Sequence, residues 1–299
     1  MTVRSERAAP EFGPSWGASS ETDVLTDVLL SAPAHLAMIP CNAVTVASLS
    51  QGLLTCRVDA VKQHRAFAAV LEQAGVRCHF ASPREGMPDL SFTRDAVLMS
   101  PWGVVQLRPG VAHRRLEVDH VASVARALGA PAYARIDHGF IEGGDICLLR
   151  DGLVVIGYSG ERTNQAGARE LGALFAERGW EVVYTRFRPE FLHLDTIMTM
   201  VADDCAIIFP EALEASLLVR LRELGVELIP ATQEEVTALA ANVLSLGGGK
   251  VVAARGSGRL AALLEDRGIQ VIEVAIDQFT RCGGGPHCLT LPLARQASA

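Results

Sequence analysis

The sequence predicts an α/β protein built from about five copies of one strand–strand–helix–strand unit. Two observations support this fold class. Strand-like apolar runs alternate with amphipathic helical stretches along most of the 299-residue chain. The same order of elements also returns about every fifty residues, a period typical of repeated supersecondary modules. Modules arranged around an axis bury the sheet face that their own helix leaves uncovered, so one shared core is expected.

Four of the predicted units are complete. In each, two strand-like runs precede a helix whose apolar residues recur at spacings of three and four, as Val121, Val124 and Leu128 do. A short extended segment ends the unit. The predicted elements are strands 90–99 and 103–107, helix 117–128 and strand 132–136; strands 145–149 and 153–158, helix 165–178 and strand 181–185; strands 193–201 and 205–209, helix 212–224 and strand 227–229; and strands 242–246 and 250–253, helix 259–266 and strand 270–274.

The N-terminal unit is incomplete. Segment 34–40, helix 58–74 and strand 77–80 resemble a fifth unit whose first strand comes from elsewhere in the chain. The last predicted strand, 288–293, supplies that missing strand and closes a ring. We therefore expect one domain over residues 31–299.

Residues 1–30 are expected to form a flexible N-terminal tail, because Gly, Ser, Pro and mixed charges at the start leave no apolar targeting segment. The net charge of −7 disfavours a nucleic-acid partner, and the chain has no apolar run of the roughly 18 residues that a membrane span needs. Seven scattered cysteines without a C-x-x-C pair indicate a reducing, cytoplasmic setting. With neither a metal-ligand cluster nor a nucleotide-binding fingerprint standing out, we expect no metal and no cofactor.

The repeat also aligns residues that carry chemistry. Two sets recur at intervals of about fifty residues, near the start of each unit's first strand. The first set is Asp95, Asp145 and Asp195, and the second is Glu142, His193, Asn242 and Cys288. Because equivalent positions in a ring converge on its axis, residues almost 200 apart in the chain are expected to share one cleft.

Cys288 is the candidate nucleophile, because it follows three glycines (residues 283–285) that allow a substrate to approach the backbone closely. A buried, inert thiol beside a turn is the equally open alternative, and Cys282 is expected to be structural. His193 and Asp195 are two apart, so on a strand they would project to the same side as a proton carrier and a carboxylate. A solvent-exposed histidine at a strand end is the competing interpretation.

The remaining candidates are acids and arginines. Glu142 either holds a protonated imidazole in place or is a solvated acid in a turn. Asp95 is expected to be a buried acid whose cationic partner is Arg94 or a substrate guanidinium. Arg114 and Arg162 are candidates for a substrate carboxylate, although most surface arginines have no such role.

Four motifs together resemble the guanidine-modifying enzyme superfamily over residues 34–295. They are Phe92-Thr93-Arg94-Asp95, Glu142-Gly143-Gly144-Asp145, His193-Leu194-Asp195-Thr196 and Gly284-Gly285-Pro286-His287-Cys288. The resemblance implies the five-bladed α/β propeller known as the pentein fold. It also implies that Cys288 is the nucleophile, His193 the general acid and base, and Glu142 its partner.

The same resemblance implies the substrate contacts. Asp95 and Asp195 would bind a guanidinium, with Phe92 beside it. Arg114 and Arg162 would bind a carboxylate of the substrate. The motifs look like those of arginine deiminases. The compact size, without an inserted helical bundle, and Asp89 are closer to dimethylarginine dimethylaminohydrolases.

The expected reaction is hydrolysis of L-arginine to L-citrulline and ammonia, so the expected partner is a small guanidine compound. The resemblance also implies a homodimer, because members of the family often form dimers. If Asp195 bonds the terminal N–H groups, methyl groups there would clash or leave it unpaired, so free arginine is preferred over dimethylarginine. Three alternatives stay open: a dimethylarginine dimethylaminohydrolase, an amidinotransferase and a non-catalytic propeller that binds a partner.

Overall fold

The computed structural model describes residues 16–297, and the strands in this range form five three-stranded sheets. In each sheet the central strand has one antiparallel and one parallel neighbour. A helical connection leads from the central strand to its parallel neighbour. The predicted unit of two strands, a helix and a third strand is therefore confirmed, and so is its fivefold use within the described range.

The first sheet joins the two ends of the described chain. Its N-terminal elements are β1 (Val24–Ser31), α1 (Ala43–Ser50), α2 (Arg57–Gln73) and β2 (Arg77–Ala81). β1 lies between β2, to which it is parallel, and the antiparallel C-terminal strand 291–296. The prediction that the end of the chain supplies a strand to the first unit is confirmed.

The other four units follow in chain order, with two short extra helices. Their elements are β3 (Val97–Ser100), β4 (Gly103–Gln106), α3 (Arg115–Ala127) and β5 (Ala132–Arg135); β6 (Ile146–Arg150), β7 (Leu153–Tyr158), α4 (Gln165–Ala176) and β8 (Glu181–Arg186); β9 (Met198–Ala202), β10 (Cys205–Ile208), α5 (Ala215–Glu223), β11 (Glu227–Pro230) and α6 (Gln233–Thr237); and β12 (Leu244–Gly247), β13 (Lys250–Ala254), α7 (Gly258–Glu265), β14 (Gln270–Val274), α8 (Asp277–Thr280) and β15 (Leu291–Gln296).

The expectation of a flexible tail over residues 1–30 is wrong for its C-terminal part, while residues 1–15 lie outside the described range. β1 is the central strand of its sheet, and Val28 and Leu30 on it are fully buried. Asp27, also buried, accepts two hydrogen bonds of 2.8 Å from Arg77 on β2. Segment 34–40, which lies within the described range, has no strand.

Short 3-10 turns precede the first strands of three units, and two of these turns lie where the sequence predicts the strands 90–99 and 193–201. The turns are Thr93–Asp95, Gly143–Asp145 and Leu194–Thr196, and they lead into β3, β6 and β9. Their residues are buried like those of the strands. Hydrophobic runs alone cannot distinguish such a buried turn from a buried strand, which explains the error.

These turns also tie neighbouring units together. Asp95 Oδ1 accepts a hydrogen bond of 3.0 Å from the backbone N–H of Gly144, and Asp145 Oδ1 accepts one of 2.8 Å from Leu194. Two of the three periodic aspartates therefore bond the equivalent turn of the next unit. Between sheets, β15 contacts β3, β6 contacts β9, β9 contacts β12, and β12 contacts β1. Along residues 16–297, each helix is too short or too polar to cross a membrane.

Candidate active site

A pocket of about 390 Å³, counting its opening to solvent, gathers most of the predicted site residues. The predicted residues that line it are Asp89, Phe92, Asp95, Arg114, Arg162, His193 and Cys288. Glu142 and Asp195 are buried next to these lining residues. The repeat therefore brings together residues that are up to 199 positions apart in the sequence, from Asp89 to Cys288.

Cys288 lies in the loop between α8 and β15, three residues before the strand begins. Its Sγ lies 3.3 Å from Asp195 Oδ2 and 3.2 Å from the amide Nδ2 of Asn242. The glycines before it allow this packing, since a Cβ on Gly285 would be 2.6 Å from Asn242 Oδ1. Burial, together with Asp195 and Asp95, raises the pKa of the Cys288 thiol well above its ordinary value. The thiol of the free enzyme therefore holds its proton.

His193 is held by Glu142, whose Oε2 lies 2.8 Å from Nε2 of the ring. The same carboxylate accepts hydrogen bonds from the backbone N–H of Gly110, at 3.0 Å, and from Arg162 Nη1, at 3.0 Å. A Cβ on Gly144 would lie 2.7 Å from His193 Nδ1. Glycine at this position of the Glu-Gly-Gly-Asp motif therefore leaves room for the imidazole ring. The predicted pairing of His193 with Glu142 is seen in this geometry.

The electrostatics of His193 favour its charged form. Burial lowers the pKa of the ring, but the nearby carboxylates Asp95, Asp145 and Glu142 outweigh it and raise the pKa to about 10. His193 Nδ1 lies 3.8 Å from Asp95 Oδ1 and has no hydrogen-bond partner within residues 16–297. At neutral pH the site therefore offers an imidazolium that has one uncommitted N–H.

Among the residues of the protein, Asp95 pairs with Arg114 and not with Arg94, the partner that the sequence offers. Arg114 Nη1 donates to Asp95 Oδ2 at 2.5 Å. Nε and Nη2 of Arg114 also donate to Glu117, at 2.9 and 2.8 Å, and Nη2 donates to the carbonyl of Phe92. Arg114 is thus committed to two carboxylates of the protein, which reduces its capacity to hold a third.

Asp195 belongs to a second cluster, and the strand premise that placed it on the same side as His193 is wrong. Its Oδ2 lies 2.8 Å from His287 Nδ1, and His287 Nε2 lies 3.2 Å from Glu21 Oε2. Arg94 donates to Glu21 Oε1 at 3.3 Å. Asp195 Oδ1 has no hydrogen-bond partner in the described part of the chain although it is buried.

Sequence reasoning assigned no role to Glu21, Asn242 or His287 as partners of the thiol and its carboxylate. Asn242 recurs with the period of the unit, and that signal could have placed it beside Cys288. His287 stands in the cysteine motif, but its partners come from distant parts of the chain. Glu21 lies in the segment that the sequence predicts to be a flexible tail, and the residues near it give no sign of its burial.

Two groups of side chains in the described range have donor atoms close enough to hold a metal ion. One is Asp95, Glu142 and His193, and the other is Cys41, Asp89 and His113. The sequence showed neither, because their members are far apart along the chain.

Comparison with known proteins gives a consistent result. Residues 41–295 match the sequence family described as N,N dimethylarginine dimethylhydrolase, eukaryotic. The N(G),N(G)-dimethylarginine dimethylaminohydrolase of Streptomyces coelicolor is 30% identical over 253 residues, covering 82% of this chain and 93% of the relative. An arginine deiminase of Mycolicibacterium gilvum is 30% identical over 255 residues, covering 70% of this chain and 61% of the deiminase.

The fold agrees with these matches. A mutant of the Pseudomonas aeruginosa dimethylarginine dimethylaminohydrolase, solved with citrulline, superposes with a TM-score of 0.75 at 24% identity. It covers 90% of this chain and 99% of the other. The chain is thus an amidinohydrolase, an enzyme that cleaves C–N bonds of guanidino groups. More particularly, it belongs to the dimethylarginine dimethylaminohydrolase family. The alternative of a non-catalytic propeller is wrong.

Proposed function

We propose that the enzyme hydrolyses L-arginine to L-citrulline and ammonia, with Cys288 as nucleophile and His193 as general acid and base. The proposal rests on one observation: Cys288 and His193 line the same pocket, together with carboxylates. A guanidinium is the cation that such carboxylates bind best, through parallel hydrogen bonds.

The high pKa of the Cys288 thiol supports activation by the substrate itself. Burial and the negative charges of Asp195 and Asp95 oppose the thiolate in the free enzyme. A bound guanidinium offsets those negative charges, lowers the pKa of the thiol and places an electrophilic carbon next to Sγ. Cationic guanidine substrates are therefore selected by the step that creates the nucleophile.

His193 begins the reaction as the acid, since its pKa of about 10 keeps it protonated at neutral pH. Sγ of Cys288 bonds to the guanidinium carbon, and His193 gives a proton to one terminal nitrogen, which leaves as ammonia. The resulting thiouronium is attacked by water as His193 takes one water proton. The C–S bond then breaks, the thiolate recovers its proton, and citrulline leaves.

The unpartnered oxygen of Asp195 supports free arginine as the substrate. Asp195 Oδ2 is 3.3 Å from Cys288 Sγ, so a guanidinium carbon within attack distance of the sulfur brings its terminal N–H groups close to Oδ1. Methyl groups on that nitrogen would remove these donors. For the α-carboxylate, Arg162 is the better candidate, since Arg114 donates to both Asp95 and Glu117.

Hydrolysis of methylated arginine is the second candidate. The family match and the 93% coverage of the Streptomyces dimethylarginine dimethylaminohydrolase favour it, whereas the chain spans 61% of the deiminase. The two candidates share the mechanism above and differ in the leaving group, which is methylated for the second.

A panel of guanidines separates the candidates. Arginine, monomethylarginine, dimethylarginine and agmatine are each incubated with the enzyme, and the ureido product and the released amine are measured. We expect kcat/KM for arginine to exceed that for dimethylarginine by about 100-fold or more. Agmatine should be slow because it lacks the carboxylate. Faster turnover of dimethylarginine would overturn arginine as the substrate.

We infer further that the five sheets are the blades of a closed five-bladed propeller forming one domain. Four of the five neighbouring pairs of sheets make direct strand contacts, and side chains of the second and third sheets pack in one hydrophobic cluster. β15 and β1 pair across the ends of the described chain. β1 belongs to this domain, so the N-terminal boundary of the domain lies before Val24.

A further inference from the structure

Arg94 has a buried N–H group that bonds no part of the described chain. Its Nε donates to the carbonyl oxygen of His287 at 2.9 Å, and its Nη1 donates to Glu21 Oε1 at 3.3 Å. Nη2 has no hydrogen-bond partner among residues 16–297, although Arg94 is only 5% exposed. Because a buried donor without an acceptor costs free energy, Nη2 requires an acceptor from outside these residues.

Arg94 lines a cavity of about 340 Å³, counting its opening to solvent, that shares no lining residue with the substrate pocket. Its walls are mostly apolar and come from the antiparallel outer strands of three sheets, β3, β6 and β15. The apolar side chains on these strands are Val97, Leu98, Met99, Leu148 and Leu291. The charged residues that line the cavity are Glu21, Arg94 and Arg295.

The buried charge of Arg295 has no carboxylate in direct contact within the described range. Its Nη1 donates to the carbonyl oxygen of Asp23 at 2.7 Å, and its Nη2 donates to that of Ser245 at 2.9 Å. The carboxylate of Asp23 instead accepts from Ser19 Oγ at 3.4 Å and is partly exposed to solvent. Arg295 therefore adds a positive charge to the cavity that neutral acceptors leave uncompensated.

The neighbouring cluster does not supply the missing negative charge. His287 faces a carboxylate at each ring nitrogen, Asp195 at 2.8 Å and Glu21 at 3.2 Å, so both nitrogens carry a hydrogen and the ring is an imidazolium. Burial opposes ionisation of Asp195, but its hydrogen bond to His287 and the charge of that ring lower the pKa of the carboxyl below its ordinary value. Together with Arg94 and Arg295, the cluster holds three cationic side chains and two carboxylates, an excess of one positive charge.

We propose that a chloride-like monovalent anion binds in this cavity against Nη2 of Arg94. One negative charge cancels the excess, and the ion accepts the hydrogen bond that the described chain leaves unmade. A monovalent, weakly hydrated anion suits the apolar walls better than a dianion such as phosphate, because the cost of burying an ion rises with its charge. The site lies behind Asp195 and outside the substrate pocket, so it does not depend on the proposed function.

Bromide locates the ion, because it has the charge of chloride and scatters X-rays anomalously. Crystals of the full chain grown in sodium bromide should show an anomalous peak within hydrogen-bonding distance of Arg94 Nη2. Bromide that is found only at surface arginines, with water alone beside Arg94, would overturn the proposal.

Chloride should also stabilise the fold through this site. Urea unfolding of the full chain is measured at rising sodium chloride, with sodium gluconate added to keep the ionic strength constant. Above the dissociation constant, each tenfold rise in chloride should lower the equilibrium constant of unfolding about tenfold, because one ion is released when the chain unfolds. An equilibrium constant that does not respond to chloride contradicts the proposal.

Arg94→Gln assigns the chloride effect to this cavity. The variant loses both the charge and Nη2, so its unfolding should no longer depend on chloride. Arg126→Gln, which removes an exposed arginine, is the matched control and should respond to chloride like the wild type. A chloride response that persists in folded Arg94→Gln would place the ion elsewhere and refute the site. The bromide map and the wild-type titration require no variant, so they decide the proposal even if Arg94→Gln does not fold.

Discussion

Two buried histidines near Cys288 have carboxylate partners but are arranged differently. His193 bonds Glu142 through Nε2 alone, and its Nδ1 finds no hydrogen-bond partner among residues 16–297. His287 uses both ring nitrogens, on Asp195 at 2.8 Å and on Glu21 at 3.2 Å. His193 also lines the substrate pocket, whereas His287 lies behind it, next to Asp195.

The difference separates proton transfer from positioning. A general acid needs an N–H that can reach the reacting group, and an uncommitted nitrogen meets that requirement. A ring that is bonded on both sides instead fixes the groups it contacts. We therefore assign proton transfer to His193 and the orientation of Asp195 to His287.

The largest expected effect comes from the sulfur on which both clusters converge. Cys288→Ser should lower kcat on the order of 10⁴-fold or more, because the alcohol is a far weaker nucleophile. Arginine binding, measured by calorimetry, should change little. Cys282→Ser, another buried cysteine of the same pocket, is the control and should keep most of the activity. Ordinary turnover by Cys288→Ser would show that the sulfur is not the nucleophile. The roles assigned to the two histidines relative to Cys288 would then be contradicted.

Replacing each histidine in turn tests the comparison directly. His193→Gln should lower kcat by about 10²–10⁴-fold, the usual contribution of a general acid. His287→Gln should lower kcat by about tenfold, because the ring reaches the sulfur only through Asp195. His138→Gln, on the surface, is the control. Equal losses in kcat for His193→Gln and His287→Gln would contradict the assignment.

The sequence predicted the repeat well because each unit carries its own periodic signal. Strands 153–158 and 270–274 have the bounds of β7 and β14. The prediction is wrong at β1. In the sequence alone Asp27 resembles a solvent-exposed acid, because its partner Arg77 lies 50 residues away. Local patterns do not encode such distant partners.

The site shows the same limit. The repeat and the motifs identified His193, Glu142 and Cys288, which lie at equivalent positions of their units. Glu21 and His113 follow no period, and they join the site only through contacts that the complete fold creates.

Removing the negative charge of Glu142 should change the pH dependence. Asp95, Asp145 and Glu142 together raise the pKa of His193 to about 10, so the acid remains protonated up to that pH. In Glu142→Gln, the alkaline decline of kcat/KM should move to lower pH by roughly one unit or more. The exposed Glu161→Gln is the control. An unchanged alkaline limb would show that another group sets it.

Stability provides a second measurement on the same variant. A histidine whose folded pKa lies above its unfolded value of about 6.5 stabilises the fold fully below that pH, and the contribution is lost as pH rises to about 10. The free energy of unfolding of the wild type should therefore fall between pH 7 and pH 10. Glu142→Gln should show a shallower fall over this range.

The smallest effect on catalysis is expected at Glu21, at the far end of the positioning cluster. Burial opposes ionisation of Glu21, but Arg94 and His287 outweigh it and hold the pKa of the carboxyl well below its ordinary value. Glu21→Gln keeps the shape but removes a charge-assisted hydrogen bond, which should lower the free energy of unfolding by about 2 kcal/mol. Urea unfolding at neutral pH measures this loss, with the exposed Glu72→Gln as the control.

Measurements of kcat distinguish a positioning role of Glu21 from a role in proton transfer. Because Glu21 acts on Cys288 only through His287 and Asp195, kcat in Glu21→Gln should fall by less than tenfold while the alkaline limb set by His193 stays in place. A loss of kcat as large as that of His193→Gln, in a variant that still folds, would place Glu21 in proton transfer. The two histidine clusters would then work as one unit.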